Sequence, residues 1–209
     1  MRPVFLLLLA AATAFPQSLK VGLKGGVPFS DFTKAVSSGN INFNDNTRRY
    51  IFGPTVEIGL PFGLAIEVDA LYRRFNYNQF ITGTAGTDFI STSGNAWEFP
   101  VLAKYRFPAP IARPYVLGGV AWDTLSGLTQ NVRRAVATTG ILSSPRPNEL
   151  NKKTTTGYVL GVGLDVKALF VHVSPEIRYT RWGARHFLDP NGFLSSNQNQ
   201  AEFLVGFTF

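Results

Sequence analysis

His172, Ser174 and Glu176 are spaced by two, so an extended strand carries all three on one face. An imidazole, a hydroxyl and a carboxylate side by side are the parts of an activated serine. The base takes the proton of the nucleophile, and the carboxylate orients the base. The same three groups also serve as a hydrogen-bonded cluster in a polar interior, and that is the reading favoured here. Other chemistries are excluded by composition. The chain has no cysteine, which removes disulfides, thiolate catalysis and thiolate metal sites, and its two histidines, His172 and His186, are too few for a histidine metal centre. Glycine-rich pieces such as Gly161-Val162-Gly163 are not phosphate loops, because no helix follows them. No catalytic residue, metal ligand or cofactor is assigned.

The elements that must position these side chains are strands. Gln200 to Phe209 alternates, with Ala201, Phe203, Val205, Phe207 and Phe209 on one face and Gln200, Glu202, Leu204, Gly206 and Thr208 on the other. A strand ending on an exposed aromatic suits a barrel whose outer face meets lipid and whose closing strand pairs with the first. Seven further alternating segments precede it, at 19–27, 50–60, 64–75, 96–107, 113–123, 156–166 and 169–180. The phase of the fifth is ambiguous; placing Val116, Val120 and Trp122 outward turns Asp123 inward. Connections after strands two, four and six are short, at 61–63, 108–112 and 167–168. Those after one, three, five and seven are long, at 28–49, 76–95, 124–155 and 181–199, and are rich in Ser, Thr, Asn and Gly, which predicts solvated loops. Strict short–long alternation is the pattern of an up-and-down barrel with tight periplasmic turns and long outer loops. If Lys167-Ala168 is a two-residue turn, Val166 pairs with Leu169, Gly163 faces His172 and Gly161 faces Ser174.

Alternation then sorts the charges. Lys20, Lys24, Arg73, Lys104, Arg106 and Arg178 point inward with Glu57, Glu67, Asp69, Glu98, Asp165, Glu176 and Glu202. An eight-stranded barrel has an interior only wide enough for its own side chains, so these charges must pair. The three-residue turn at 61–63 sets Glu57 opposite Glu67, and Lys104 or Arg106 from the neighbouring strand is expected between them. Glu202 is expected to reach Lys20 or Lys24 across the closing seam, and Arg178 to reach Glu202 and, through the lumen, Glu98 or Asp69. A second basic set, Arg48, Arg49, Arg73, Arg74, Lys152, Lys153, Arg181 and Arg185, falls at the loop-side ends of strands. That places it on an outer rim, where lipopolysaccharide phosphates would meet it.

Met1 to Ala14 reads as one positive charge, a short apolar core and a small-x-small site, which is a secretory signal peptide. The expected division is a signal peptide at 1–16, cleaved after Ala14, and a barrel domain at 17–209. The formal charge of +7 admits anionic lipid as a partner, and the lack of an aromatic–basic stacking platform argues against nucleic acid.

At Trp97 to Phe107 (WEFPVLAKYRF) the chain resembles the bacterial outer-membrane beta-barrel family of the OmpX- and PorT-like kind. Arg113 to Ala121, Gly157 to Gly163 and Ser174 to Thr180 are similar to the strands that follow in that family. The resemblance covers nearly the whole mature chain. It implies structural, adhesive or secretion-accessory barrels and brings no catalytic set. The His-x-Ser pair also resembles the outer-membrane lipid A deacylases, but their pattern continues His-x-Ser-Asn, whereas Pro175 follows Ser174. Their active groups face lipid, whereas these face the lumen with Arg178.

The expected fold is therefore all-β, an eight-stranded antiparallel up-and-down transmembrane barrel in the bacterial outer membrane, monomeric. A soluble lipocalin-like barrel is the rival architecture. The expected role is structural or surface-binding, with a charged, plugged lumen and no open pore. The alternatives are a lipid A-modifying hydrolase using His172, Ser174 and Glu176, or a small transport channel. Expected partners are outer-membrane lipid, lipopolysaccharide and the barrel-assembly machinery, the last through the strand ending at Phe209.

Overall fold

Alternating side chains of period two let one sheet present an apolar face and a polar face, and closing the sheet separates the two completely. The computed structural model describes residues 18–30, 33–35, 41–45, 50–83, 86–134, 142–144, 150–168, 170–187 and 194–209; the expected signal peptide lies outside them. In chain order the strands are β1 (Leu19–Pro28), β2 (Thr33–Ala35), β3 (Ile41–Asp45), β4 (Ile51–Gly59), β5 (Leu64–Asp69), β6 (Leu71–Gly83), β7 (Gly86–Arg106), β8 (Ala112–Arg134), β9 (Leu142–Ser144), β10 (Thr154–Ala168), β11 (Val171–Trp182), β12 (Leu194–Ser196) and β13 (Asn199–Thr208). Eight staves form the wall: β1, β4, β5 continued by β6, β7, β8, β10, β11 and β13. Each pairs antiparallel with the next, and β13 returns to β1. The seam runs from Gly22 opposite Thr208 to Pro28 opposite Glu202. Phe209 and Val21 exchange backbone hydrogen bonds of 3.0 and 3.3 Å, so the terminal aromatic residue locks the closure.

The faces sort as alternation dictates. Leu23, Leu160, Val162 and Ile177 stand outward and exposed, while Lys24, Glu57, Glu67, Asp69 and Arg178 are buried inside. A charged interior inside an apolar surface is the inverse of a lipocalin. It fits a wall facing lipid, where every backbone group of a closed sheet is paired. Aromatics gather near both ends of the apolar band. Tyr72 and Trp97 meet at 5.2 Å toward the loop end, and Tyr105 and Phe107 at 4.9 Å at the turn end. In β8, Val116, Val120 and Trp122 point out, and Asp123 is buried.

Two sequence expectations are corrected. The hairpin between β10 and β11 pairs Val166 with Val173 and Ala168 with Val171, so the strands continue through Ala168 before reversing. Gly163 therefore faces Glu176, and Gly161 faces Arg178, rather than His172 and Ser174. The register differs by four, an even number, so every side chain keeps its face. The segment 76–95 is also not a solvated loop. β6 and β7 pair to Gly83 opposite Gly86, and β8 runs on to Arg134. Its Ser, Thr and Asn residues are interspersed with Phe80, Phe89 and Ile90, and paired strands satisfy their own backbone groups even in water. A register shift between Ser93 and Asn95 marks where this extension leaves the barrel proper. A Cβ on Gly94 would lie 2.6 Å from the Phe75 ring.

Candidate functional site: a charge network closing the lumen

Six staves bring acid and base together across the lumen. Antiparallel pairing sets Glu57 directly opposite Glu67. Lys104 of β7 sits between them, 3.2 Å from Glu57 and in contact with Glu67, and Arg106 pairs with Glu57 from the turn side. Deeper in, Lys24 and Arg178 share the same three carboxylates. Arg178 Nη2 donates to Glu67, Asp69 and Glu176 at 3.2, 3.0 and 2.6 Å. Lys24 Nζ meets Glu67, and lies 3.4 Å from Asp69 and 3.2 Å from Glu176. The remaining lone pairs are taken by neutral donors. Thr55 Oγ1 donates to Asp69 at 2.6 Å, and Tyr115 OH to Glu176 at 2.8 Å. At the turn end Asp165 gathers His172 Nδ1 at 2.7 Å, Arg106 Nε at 2.8 Å and Lys20 at 3.5 Å, and Lys20 also lies 3.6 Å from Glu57. Five cations thus face five carboxylates, which is the balance a buried network needs.

Small residues make room for this. Gly161 and Gly163 stand beside Arg178 and Glu176 on the adjacent stave. A Cβ on Gly163 would come within 2.5 Å of the Tyr115 ring, so Tyr115 fills the space that the glycine leaves. Lys104 in turn lies 4.3 Å from the centre of the Tyr115 ring, a cation–π contact that adds to its ion pairs.

The loop end is built differently. Arg73 Nη1 donates to Gln200 at 2.8 Å, and Nη2 pairs with Asp123. His186 bonds Asp123 through Nε2 at 3.2 Å and the Lys152 carbonyl through Nδ1 at 2.7 Å. Next to it Phe187 is fully buried against Phe75, Ala96, Leu125, Leu128 and Leu150, an apolar lid over the charged layers. Nothing in the spacing of His186 and Phe187 announces this role. The one available signal was Asp123, an inward carboxylate in need of a partner.

Several sequence-assigned residues sit elsewhere than expected. Glu202 does not meet Lys20 or Lys24. The seam sets Glu202 opposite Pro28 and Lys24 opposite Gly206, four residues lower, or about 13 Å along the strand at ~3.3 Å per residue. Glu98 and Glu202 form no ion pair within 4 Å among the described residues; both lie near the guanidinium groups of Arg73 and Arg178. Arg178 reaches Asp69 but not Glu98. Arg73 leaves the rim set, because it points inward and is buried. Arg74, Lys152, Lys153, Arg181 and Arg185 are exposed near the loop ends of their strands, and Arg48 and Arg49 fall outside the described residues.

His172, Ser174 and Glu176 share a face but do not act on one another. His172 bonds Asp165, and Glu176 is held by Arg178, Lys24 and Tyr115. Among the described residues no hydrogen bond joins Ser174 to either, so no base is aimed at the hydroxyl. No group of three potential metal ligands occurs among the described residues.

The family comparison agrees with this geometry. The family described as outer membrane protein beta-barrel domain matches residues 3–209. Among solved structures, OprG from Pseudomonas aeruginosa superposes with a TM-score of 0.50 at 13% identity, covering 92% of this chain and 93% of OprG. The translocator domain of the autotransporter NalP from Neisseria meningitidis gives 0.47 at 10% identity, over 100% of this chain and 94% of that one. Ail, the attachment invasion locus protein of Yersinia pestis, gives 0.42 at 9% identity, over 92% and 97%. No curated protein matches the sequence.

Proposed function

The chain belongs to the outer membrane protein beta-barrel domain family, and from that premise we propose that it serves the bacterial outer membrane as a closed, non-conducting barrel with a structural and surface-binding role. The observation that carries this reading is the pair Lys24 and Arg178, which spans the lumen by sharing Glu67, Asp69 and Glu176. Moving either cation strands buried carboxylates, so the network resists opening to water. The apolar lid around Phe187 supports the same reading from the loop end. Aqueous channels belong to barrels of about 16–18 strands, twice the number here.

The binding surface is the outer rim, where Arg74, Lys152, Lys153, Arg181 and Arg185 carry charge suited to lipopolysaccharide phosphates. The strand that ends at Phe209 is the segment offered to the barrel-assembly machinery, and the barrel works as a monomer. The hydrolase alternative is not favoured, since among the described residues His172 bonds Asp165, Glu176 is held by Arg178, Lys24 and Tyr115, and no hydrogen bond joins either to Ser174.

Purified protein in a planar bilayer is the test. The expected record is flat, and Arg178→Ala is expected to lower stability before it produces current. Steady, stepwise, nanosiemens-scale conductance from the unmodified protein would refute the closed barrel and favour a transport role.

A further inference from the structure

The turn end of the barrel, unlike its middle, is open. The staves there surround a cavity of about 1180 Å³, above the ~300–1,000 Å³ usual for small-molecule sites. Its floor is the upper surface of the charge network, so a ligand enters and leaves by one door only. In an outer-membrane barrel that door opens to the periplasm.

The lining has two parts. One is a lip of exposed apolar side chains, of which Phe62 is 88% and Ile111 78% exposed. They lie at the level where the turn-end aromatics Tyr105 and Phe107 mark the edge of the apolar band. The other part is basic. Register places Arg113 opposite Asp165 and Lys167 opposite His172, all on the lumen face. Asp165 is already held by Lys20, Arg106 and His172. Arg113 and Lys167 consequently make no ion pair among the described residues, and both are exposed to the cavity they line. With Lys20 and Arg106 they put four cations against the two carboxylates Asp165 and Glu57. That leaves an excess of positive charge at a low-dielectric mouth, which concentrates anions.

We propose that this mouth is a binding site for a phosphate-type anion presented from the periplasmic side, with Arg113 and Lys167 as the binding residues and Phe62 and Ile111 as an apolar lip. A guanidinium fork beside an ammonium group suits a tetrahedral oxyanion, which takes paired hydrogen bonds from the first and a point charge from the second. The phosphate comes either on an inner-leaflet phospholipid, whose chains the lip would meet, or on a soluble solute.

The full chain, refolded in zwitterionic micelles, is titrated with inorganic phosphate and, at matched ionic strength, with sodium chloride. NMR follows the backbone amide signals of Ile111, Ala112, Val166 and His172 around the mouth, which every variant retains. Saturable shifts with phosphate alone are expected, and Arg113→Gln with Lys167→Gln should weaken apparent affinity at least tenfold. Arg181→Gln, on the outer rim, should bind as the unmodified chain does. A second arm places the protein in phosphatidylcholine nanodiscs with rising phosphatidylglycerol. Shifts of the same signals without added phosphate support a lipid headgroup as the source. Shifts with phosphate only support a soluble anion. If neither probe moves these signals beyond chloride, or if the double variant responds like the unmodified protein, the site does not exist.

Discussion

Replacing Lys104 with methionine keeps the length of the side chain and removes the one cation held between Glu57 and Glu67. Lys104 contacts both carboxylates, and each retains other partners: Arg106 and Lys20 at Glu57, Lys24 and Arg178 at Glu67. At an effective dielectric of ~20, a unit pair at contact distance is worth roughly 4–5 kcal/mol, so two contacts lose about 9 kcal/mol of attraction. Against this, the buried ammonium no longer has to be desolvated, a term of several kcal/mol. The two facing carboxylates also lose their shield. The net loss is expected at ~3 kcal/mol, near the lower end of the ~3–5 kcal/mol for breaking a buried pair, because neither carboxylate is left alone. Urea unfolding of the barrel in lipid vesicles, followed by tryptophan fluorescence, measures it. Adding Glu67→Gln to Lys104→Met should recover at least ~1 kcal/mol relative to the sum of the single changes, as expected for groups in contact. A Lys104→Met protein within about 0.5 kcal/mol of the unmodified one, or strict additivity in the double variant, would refute the claim that Lys104 neutralises the pair.

Three other expectations are separate. Val56→Arg puts a charge on the lipid face and should cost ~2–4 kcal/mol if it lies near the midplane; folding yields equal to those of Ser93→Arg would invert the inside–outside assignment. Gly163→Ala should destabilise the barrel, because the added methyl lies 2.5 Å from Tyr115 and 2.7 Å from the Pro175 carbonyl; an unchanged urea midpoint would mean that the ring moves aside freely. Ser174→Ala should leave the acylation pattern of lipid A unchanged in cells expressing the protein. A mass spectrum in which the unmodified protein removes an acyl chain and the variant does not would restore the hydrolase reading.

Much of the wall was legible because its code is parity. A side chain on a strand faces in or out, and the charges of β4, β5, β7, β10 and β11 declare which. The Glu57–Glu67 confrontation and its Lys104 bridge followed from a three-residue turn, where register is a matter of counting. Counting failed at the β10–β11 hairpin by four residues, yet no face was lost, because only an odd slip exchanges lumen for lipid. What parity does not contain is height along the barrel axis. Glu202 and Lys24 face the same lumen, but the seam register keeps them at different levels, and that register depends on every stave between first and last. The lid was hidden for a related reason. His186 and Phe187 arrive from a long connection with no periodicity, and only the folded chain brings them to Asp123 and Phe75.

The seam has a consequence for how this protein comes into being. It joins Gly22 to Thr208, the pairing with nearly the widest sequence separation the chain allows. Contacts of that range are the slowest to form, because the whole intervening chain must be ordered first. Until Phe209 reaches Val21, the nascent sheet has two bare edges, each a template for another strand. A copy truncated by its last strand would fail as a sticky ribbon instead of folding as a slightly smaller barrel. Completion is thus a threshold event, and the meeting of Phe209 with Val21 is the step that removes both bare edges at once.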